Sequence, residues 1–431
     1  MILRIAKTVA VILIFIIPVL AYSQGWYQQS VSAGNNQLND AFAVSLQTCF
    51  IASGYIQDLA TNVFTVFRTT NRGMNWLAIA TGTGYFFTCA HFTDSLTGFM
   101  GGGATVIMPE QGYGKCIYKT TNGGANWFAV YYMMMFPGGS PIEIKDLHFV
   151  NALTGWACGL DSYIAKTTNG GTNFINYNTP NFFRKYSVFF SDPLTGWISG
   201  DSGRICKSTN GGVNWLYQTT SVTATYNSIF FLNTNTGYAC GTNGVLIKTT
   251  NGGSNWNLLS TGTAANLRSV KFKNSDMGWI AGTNILLATS NGGLNWNQQF
   301  TGTAGLSSVF MSDSLNGWAC GGNKIYGTLT GGWTGLKNFN TGVPDEFSMS
   351  QNYPNPFNNT SNLKFEIANL GDVKLVVYDV MGREVQTLVN EELQPGTYEV
   401  TFDANGLNSG VYFYKLTTGD YTATKRMVLV K

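Results

Sequence analysis

The phrase Thr249-Thr250-Asn251-Gly252-Gly253-Ser254-Asn255-Trp256 recurs in near copies through the first three quarters of the chain. The copies close on Trp76, Trp127, Phe174, Trp215, Trp256 and Trp296, and the last four are spaced 41, 41 and 40 residues apart. A period of that length marks stacked supersecondary units, none of which shields its own apolar surface. Asn-Gly and Gly-Gly supply the positive φ angles of a tight turn between two strands. The leading Ser or Thr and the Asn are placed to bond nearby backbone, and the closing aromatic folds over apolar surface. Each phrase therefore predicts a hairpin.

Aligning the copies exposes a second shared phrase about 17 to 20 residues upstream in the compact repeats, seen as Leu153-Thr154-Gly155-Trp156-Ala157-Cys158-Gly159. Its counterparts are Gly98-Phe99, Gly196-Trp197, Gly237-Tyr238, Gly278-Trp279 and Gly317-Trp318, with Cys49-Phe50 as a degenerate first copy, which makes seven. A strand such as Ser187-Val188-Phe189-Phe190 precedes each copy, and one such as Val245-Leu246-Ile247-Lys248 follows it. With the strand opened by the aromatic, every repeat is predicted to hold four short strands. Radial packing of such sheets buries both of their faces and leaves only short edges. Residues 24–333 are thus predicted to form a seven-bladed β-propeller in an all-β protein. Gly at 51 residues and aromatics at 14% suit short strands and many turns, while charged residues, at 11%, are about half the usual share.

Closure of the ring is also legible. Gly25-Trp26-Tyr27-Gln28-Gln29-Ser30 resembles Asn295-Trp296-Asn297-Gln298-Gln299-Phe300, a fourth strand, yet no repeat precedes it. The seventh repeat has the complementary defect, losing the pattern after Thr330-Gly331-Gly332-Trp333. The N-terminal segment is therefore expected to complete the seventh blade. Two insertions lengthen the early repeats, Gly101 to Lys115 and Tyr131 to Ser140, and both are expected as long loops. Within the second, Met133, Met134 and Met135 beside Phe136 form a candidate contact surface, because insertions tend to sit on a binding face.

The first residues carry Arg4 and Lys7, an apolar run from Val9 to Leu20 broken by Pro18, and Ala21-Tyr22-Ser23 before Gln24. Residues 1–23 read as a secretory signal peptide, with no transmembrane helix retained in the mature protein. Of seven cysteines, Cys158, Cys240 and Cys320 share one repeat position and read as small core residues. Cys49, Cys89, Cys116 and Cys206 leave room for one bridge. A formal charge of +3 is too small to argue for a nucleic-acid partner.

Composition shifts after a linker at 334–343. Residues 24–343 hold 16 basic and 11 acidic side chains, whereas residues 344–431 hold 7 and 11, so charge density roughly doubles. Alternating runs such as Tyr398-Glu399-Val400-Thr401-Phe402 and Val411-Tyr412-Phe413-Tyr414-Lys415-Leu416 predict a small β-sandwich there. This tail closely resembles the C-terminal sorting domain of the type IX secretion system of Bacteroidetes-type bacteria. The phrases that carry the resemblance contain Pro354-Asn355-Pro356-Phe357, Gly382-Arg383-Glu384, Gly410 and Lys425-Arg426. The resemblance implies engagement with the type IX machinery and export through periplasm and outer membrane. It also implies usual removal of the tail, with release or attachment at the cell surface.

Ser208-Thr209-Asn210-Gly211-Gly212-Val213-Asn214-Trp215 resembles the Asp-box, Ser/Thr-x-Asp-x-Gly-x-Thr-Trp, of BNR-like, sialidase-type and related propellers, with Asn in place of Asp. An amide keeps the acceptor oxygen and discards the charge, which argues against a metal at this turn. The repeats are similar to the photosystem II assembly and stability factor family, whose members act as platforms. Sialidase-type hydrolysis needs an arginine cluster, but Arg68, Arg72, Arg184, Arg204 and Arg268 fall at unlike repeat positions. His91 and His148, on the first strands of the second and third repeats, lack metal-ligand spacing and read as structural. One periodic charge remains: Arg68, Lys119, Lys166, Lys207 and Lys248 share a position just before the hairpin. These form either an arc that holds an anionic ligand or cations laid over hairpin aromatics. The expectation is an exported module that binds a protein or polysaccharide, without catalysis, cofactor or metal. The alternative is a glycan-cleaving hydrolase of sialidase-like type using carboxylates among Glu110, Glu143, Asp161 and Asp201.

Overall fold

The computed structural model describes residues 25–34, 36–54, 63–108, 110–135, 143–160, 163–179, 183–329, 331–332, 337–340, 344–393, 395–404 and 407–431. The expected signal peptide lies outside them, as do Phe136, Asp161 and Trp333.

Among the described residues the backbone forms nine sheets, seven of them between Tyr27 and Thr328. The first takes its strands in chain order, Leu38–Ala43, Cys49–Ser53, Val63–Thr69 and Leu77–Thr83, each antiparallel to the next. Four more sheets repeat this order. The second strand of each is the most enclosed, and Gly155–Gly159, Gly196–Gly200 and Gly237–Gly241 are buried at every residue. Neighbouring sheets then share aromatic stacks. Trp156 lies flat on Phe190 of the next sheet at 3.5 Å, and Trp215 meets Phe190 edge-on at 5.8 Å. The same set recurs as Trp197, Phe231 and Trp256, and again as Tyr238, Phe272 and Trp296. Rings from two sheets thus bury one another, which is why no repeat is stable in isolation.

The sixth sheet departs from four strands. Gly278–Thr289 runs unbroken, pairing first with Leu267–Phe272 and then with Asn297–Gly305. Asn284, at φ 58°, sits at the turn within this run, as Ser202 and Asn243 do at φ 55° and 57° in the two preceding repeats. The seventh sheet takes Ser308–Met311, Gly317–Gly321 and Lys324–Thr328 from the end of the ring and Tyr27–Gln29 from its start. Tyr27 pairs with Gly327 and Gln29 with Ile325, so the N-terminal segment supplies the missing strand. Each inner strand packs on the next, and Ser308–Met311 packs on Leu38–Ala43 to close the ring.

The insertions expected as loops are strands as far as they are described, and residues 136–140 of the second lie outside the described residues. Gly98–Met108 pairs with Glu110–Thr120 along its whole length, and Phe128–Met135 adds a third strand beside them. The run Ala104-Thr105-Val106-Ile107, small and β-branched, favours this extended pairing over a loop. No disulfide joins the seven cysteines, all of which are buried.

The last two sheets belong to the tail. One holds Lys337–Asn340, Gly396–Asp403, Thr360–Ile367 and Ser348–Met349, which draws part of the segment read as a linker into the tail's own sheet. The other holds Glu384–Leu393, Gly371–Tyr378, Gly410–Thr418 and Tyr421–Leu429. Both contribute to one apolar cluster that includes Phe365, Phe402, Leu375 and Tyr414. Leu315 of the seventh sheet packs on this cluster, and Asn390 Nδ2 donates to Asp276 Oδ2 at 3.3 Å.

Candidate functional site

The repeated hairpin is held by its own side chains. Thr249 Oγ1 accepts from the backbone N–H of Asn251 and Gly253, and Asn251 Oδ1 accepts from the Thr249 hydroxyl and the Asn255 N–H. Gly252 and Gly253, at φ 68° and 95°, occupy backbone that a Cβ disfavours. The Asn oxygen acts only as an acceptor, so an amide does what an Asp carboxylate would.

The basic position before each hairpin reaches the next sheet. Arg68 Nη1 donates to Gly123 O at 2.8 Å, Lys119 Nζ to Gly170 O at 2.6 Å and Lys248 Nζ to Gly292 O at 3.0 Å. Lys166 and Lys207 lie over the rings of Trp156 and Trp197, at 5.4 and 5.2 Å from their centroids. The ring beneath often bonds the same hairpin: Trp156 Nε1 donates to Gly211 O and Tyr238 OH to Gly292 O. Desolvation lowers the pKa of Lys166 and of Lys248. These cations have internal partners and tie successive sheets together.

Met133, Met134 and Met135 lie on the edge strand of the second sheet opposite Lys115, Gly114 and Tyr113, with Met133 half-buried. Among the proposed acids, Glu143 pairs with Lys145, and Asp201 lies 3.5 Å from Arg204. Glu110 begins the strand Glu110–Thr120, opposite Met108 and at the far end from the second hairpin.

A different site emerges on the ring axis. Each inner strand from the first to the sixth carries a bulge, and the residues there bridge neighbouring sheets. Asp40 Oδ2 accepts from Ala90 N at 2.9 Å, and Asp40 Oδ1 accepts from the Ser308 hydroxyl at 2.6 Å. Asp146 Oδ2 accepts from Ser187 Oγ and Val188 N, and its Oδ1 from Leu147 N. Ser228 and Ser269 receive the N–H of Val270 and Val309 in the same manner. Two residues further along, the strands present a second belt. Ring centroids run from Phe42 to His91 at 4.8 Å, His91 to His148 at 5.3 Å, His148 to Phe189 at 4.5 Å and Phe189 to Phe230 at 5.4 Å. Lys271 Nζ follows, 5.9 Å from the Phe230 centroid, and Phe310 returns to Phe42 at 4.8 Å. The two belts line a cavity of about 250 Å³.

Desolvation sets the charge there. It pushes the Asp40 carboxyl up to about 6, against the hydrogen bonds from Ser308 and Ala90, and raises Asp146 in the same direction. It pulls His148 down to about 4 and His91 well below its ordinary value, aided by the positive charge of Lys271. Sequence reasoning noted the two histidines singly and missed the belt. The shared signal was the penultimate position of each inner strand.

In the tail, three of the four sorting phrases meet. Phe357 is buried, its N–H bonds Val428 O, and Asn355 Oδ1 accepts from Val428 N at 2.9 Å. Gly410 starts a strand paired with Leu429, while Lys425 and Arg426 stand opposite Tyr414 and Phe413. Pro354 O accepts from the Ser361 hydroxyl, and Pro356 links the two bonded residues that flank it. Gly382, Arg383 and Glu384 form a separate turn, in which Asp379 receives the Arg383 N–H and side chain.

Residues 351–431 match the family model described as the secretion system C-terminal sorting domain. Residues 173–262 and 216–303 match that of the photosynthesis system II assembly factor YCF48. This is a BNR-like β-propeller with a type IX sorting domain. Among solved structures, the propeller is similar to YCF48 bound to D1 peptide, with 14% identity, 71% of this chain and 97% of that chain covered, and a TM-score of 0.56. YCF48 from Cyanidioschyzon merolae gives 15%, 71%, 98% and 0.54, and the WD40 propeller domain of Doa1 gives 13%, 70%, 96% and 0.54. At such identity the likeness speaks for the fold of the propeller and not for its ligand. No curated protein matches the chain. The sorting domain marks the propeller as secreted or displayed at the cell surface, and no helix among the described residues is long and apolar enough to cross a membrane.

Proposed function

We propose that the chain is an exported, seven-bladed binding module that engages a protein or polysaccharide at the cell surface and performs no catalysis. The observation that carries this reading is the engagement of its acids. Asp40 and Asp146, the carboxylates on the axis, have both oxygens bonded to the sheets around them. Glu143 and Asp201 each face a cation on their own sheet. A glycosidase needs one protonated and one ionised carboxyl, roughly 5–10 Å apart and open to the sugar. In this reading the tail's paired phrases, Asn355-Pro356-Phe357 against Val428-Leu429, are recognised by the export machinery as one folded face.

A pull-down and a glycan array on the exported propeller test the binding role, with hydrolysis of the array sugars measured in parallel. Sugar release above background overturns it. Fusing residues 344–431 to a periplasmic reporter in a competent host is expected to send the reporter outside, and retention in the periplasm refutes the sorting role.

A further inference from the structure

We propose that the axial cavity is a binding site for a small organic carboxylate with a flat apolar body. The hydrogen-bonding capacity left open in the cavity decides the sign of the ligand. Each oxygen of Asp40, and Oδ2 of Asp146, accepts from a donor of a neighbouring sheet, while Asp146 Oδ1 accepts from the Leu147 N–H of its own strand. Lys271 differs: among the described residues its Nζ makes no hydrogen bond or ion pair, the Phe230 ring is its neighbour, and the charges of Asp40 and Asp146 act on it only at longer range. An ammonium group offers only donors, and a carboxylate satisfies them with a charge-assisted bond.

The histidines stand across the belt from it, separated by Phe189 and Phe230 on one side and by Phe42 and Phe310 on the other. His91 Nε2 accepts the Phe149 N–H at 3.3 Å, so the proton of its neutral ring sits on Nδ1. His148 Nε2 lies 2.9 Å from the Phe190 carbonyl and must donate there, which leaves its Nδ1 as an acceptor. Both rings are neutral near pH 7, since desolvation holds their pKa values below the ordinary range. Lys271 is then the full positive charge of the aromatic belt.

Shape and size narrow the class. Phe42, Phe189, Phe230 and Phe310 offer ring edges, which carry partial positive charge, and faces that pack on a flat hydrocarbon. A cavity of about 250 Å³ is smaller than the roughly 300–1,000 Å³ of pockets for drug-sized molecules. It suits a single ring bearing a carboxylate and is too small for an oligosaccharide or a folded peptide. The site is thus distinct from the surface that binds a macromolecule.

The chain contains 2 histidines, both in this belt, so imidazole signals report on the cavity alone. The experiment adds phenylacetate, or its neutral amide phenylacetamide, to the exported chain carrying isotope-labelled histidine. Phenylacetate is expected to shift both imidazole signals saturably and to raise the melting temperature with concentration. The amide is expected to bind about ten-fold more weakly or less, because it forgoes a charge-assisted bond. Lys271→Gln is expected to lower phenylacetate affinity by about the same factor, with Lys119→Ala leaving it unchanged. Unmoved imidazole signals, or equal shifts with acid and amide, overturn the proposal. Should Lys271→Gln fail to fold, the comparison of acid with amide on the unaltered chain decides.

Discussion

The Ser308 hydroxyl donates to Asp40 Oδ1 at 2.6 Å, joining residues 268 positions apart and closing the polar belt of the propeller. Its loss strands a desolvated carboxylate oxygen. Ser308→Ala is expected to lower unfolding free energy by about 1–3 kcal/mol. Chemical denaturation reads this, and a change below about 0.5 kcal/mol would show that water replaces the hydroxyl.

The N-terminal strand should matter more than its three residues suggest. Trp26 is buried in a cluster with Trp279, Leu306 and Tyr326, and Gln29 bonds both the Arg72 carbonyl and the Trp76 indole N–H. Trp26→Ala is expected to cost about 3–5 kcal/mol. Deleting residues 24–33 should lower the melting temperature further; an unchanged value rules out the clasp.

Replacement of the periodic cations separates architecture from binding. Lys119→Ala and Lys248→Ala each remove a bond to the next hairpin, at 2.6 and 3.0 Å. Each is expected to cost about 1 kcal/mol, because the ammonium groups keep partial contact with water. Calorimetry on the variants is to be paired with binding of an anionic glycan. Lost binding at unchanged stability would restore these residues as a ligand arc.

Acid should act on the axis through opposing groups. His148, held near 4 against an ordinary 6.5, takes up its proton later than it does in the unfolded chain, so stability falls as pH drops through that interval. His91 acts in the same direction. Asp40, raised from 3.8 to about 6, binds its proton earlier in the folded state, so stability rises as pH drops from about 6 to 3.8. Asp146 joins Asp40. Asp40→Asn removes part of this counterweight, and its melting temperature is expected to fall more steeply below pH 6 than that of the parent. Parallel curves would exclude the coupling.

In the tail, Gly382 adopts φ 75° at the turn, with nothing within 4 Å of the position a Cβ would take. Gly382→Ala therefore meets backbone strain without a clash and is expected to cost about 1 kcal/mol while keeping the fold. A loss above about 3 kcal/mol would mean that the turn is packed by something else.

Much of the architecture could be read from residues that recur. Thr249, Asn251, Gly252 and Gly253 announce their hairpin because each makes a local bond or angle that few other residue types provide. The missing fourth strand was legible because Trp26 and Gln29 copy Trp296 and Gln299. The partners of the periodic cations were hidden, since Lys248 bonds a backbone carbonyl 44 residues away and a carbonyl leaves no trace in residue type. The aromatic belt was hidden for another reason. His91, Phe189 and Lys271 share a position but no chemistry, and insertions put that position out of period in the early repeats. The long early hairpin was misread as loop because the glycines of Gly101-Gly102-Gly103 weigh against a strand; here Gly102 pairs closely with Phe87 and Cys116.

The clasp has a further consequence for how this ring is written in a gene. Gly25 lies against the backbone of Gly332, so the point where the propeller begins and the point where its repeats end are neighbours in space. A short peptide joining them would let the ring be reopened at another hairpin tip, such as that of Gly211 and Gly212, with every sheet pairing kept. The starting residue of the propeller is then a matter of gene order, and what the fold requires is that its two ends meet.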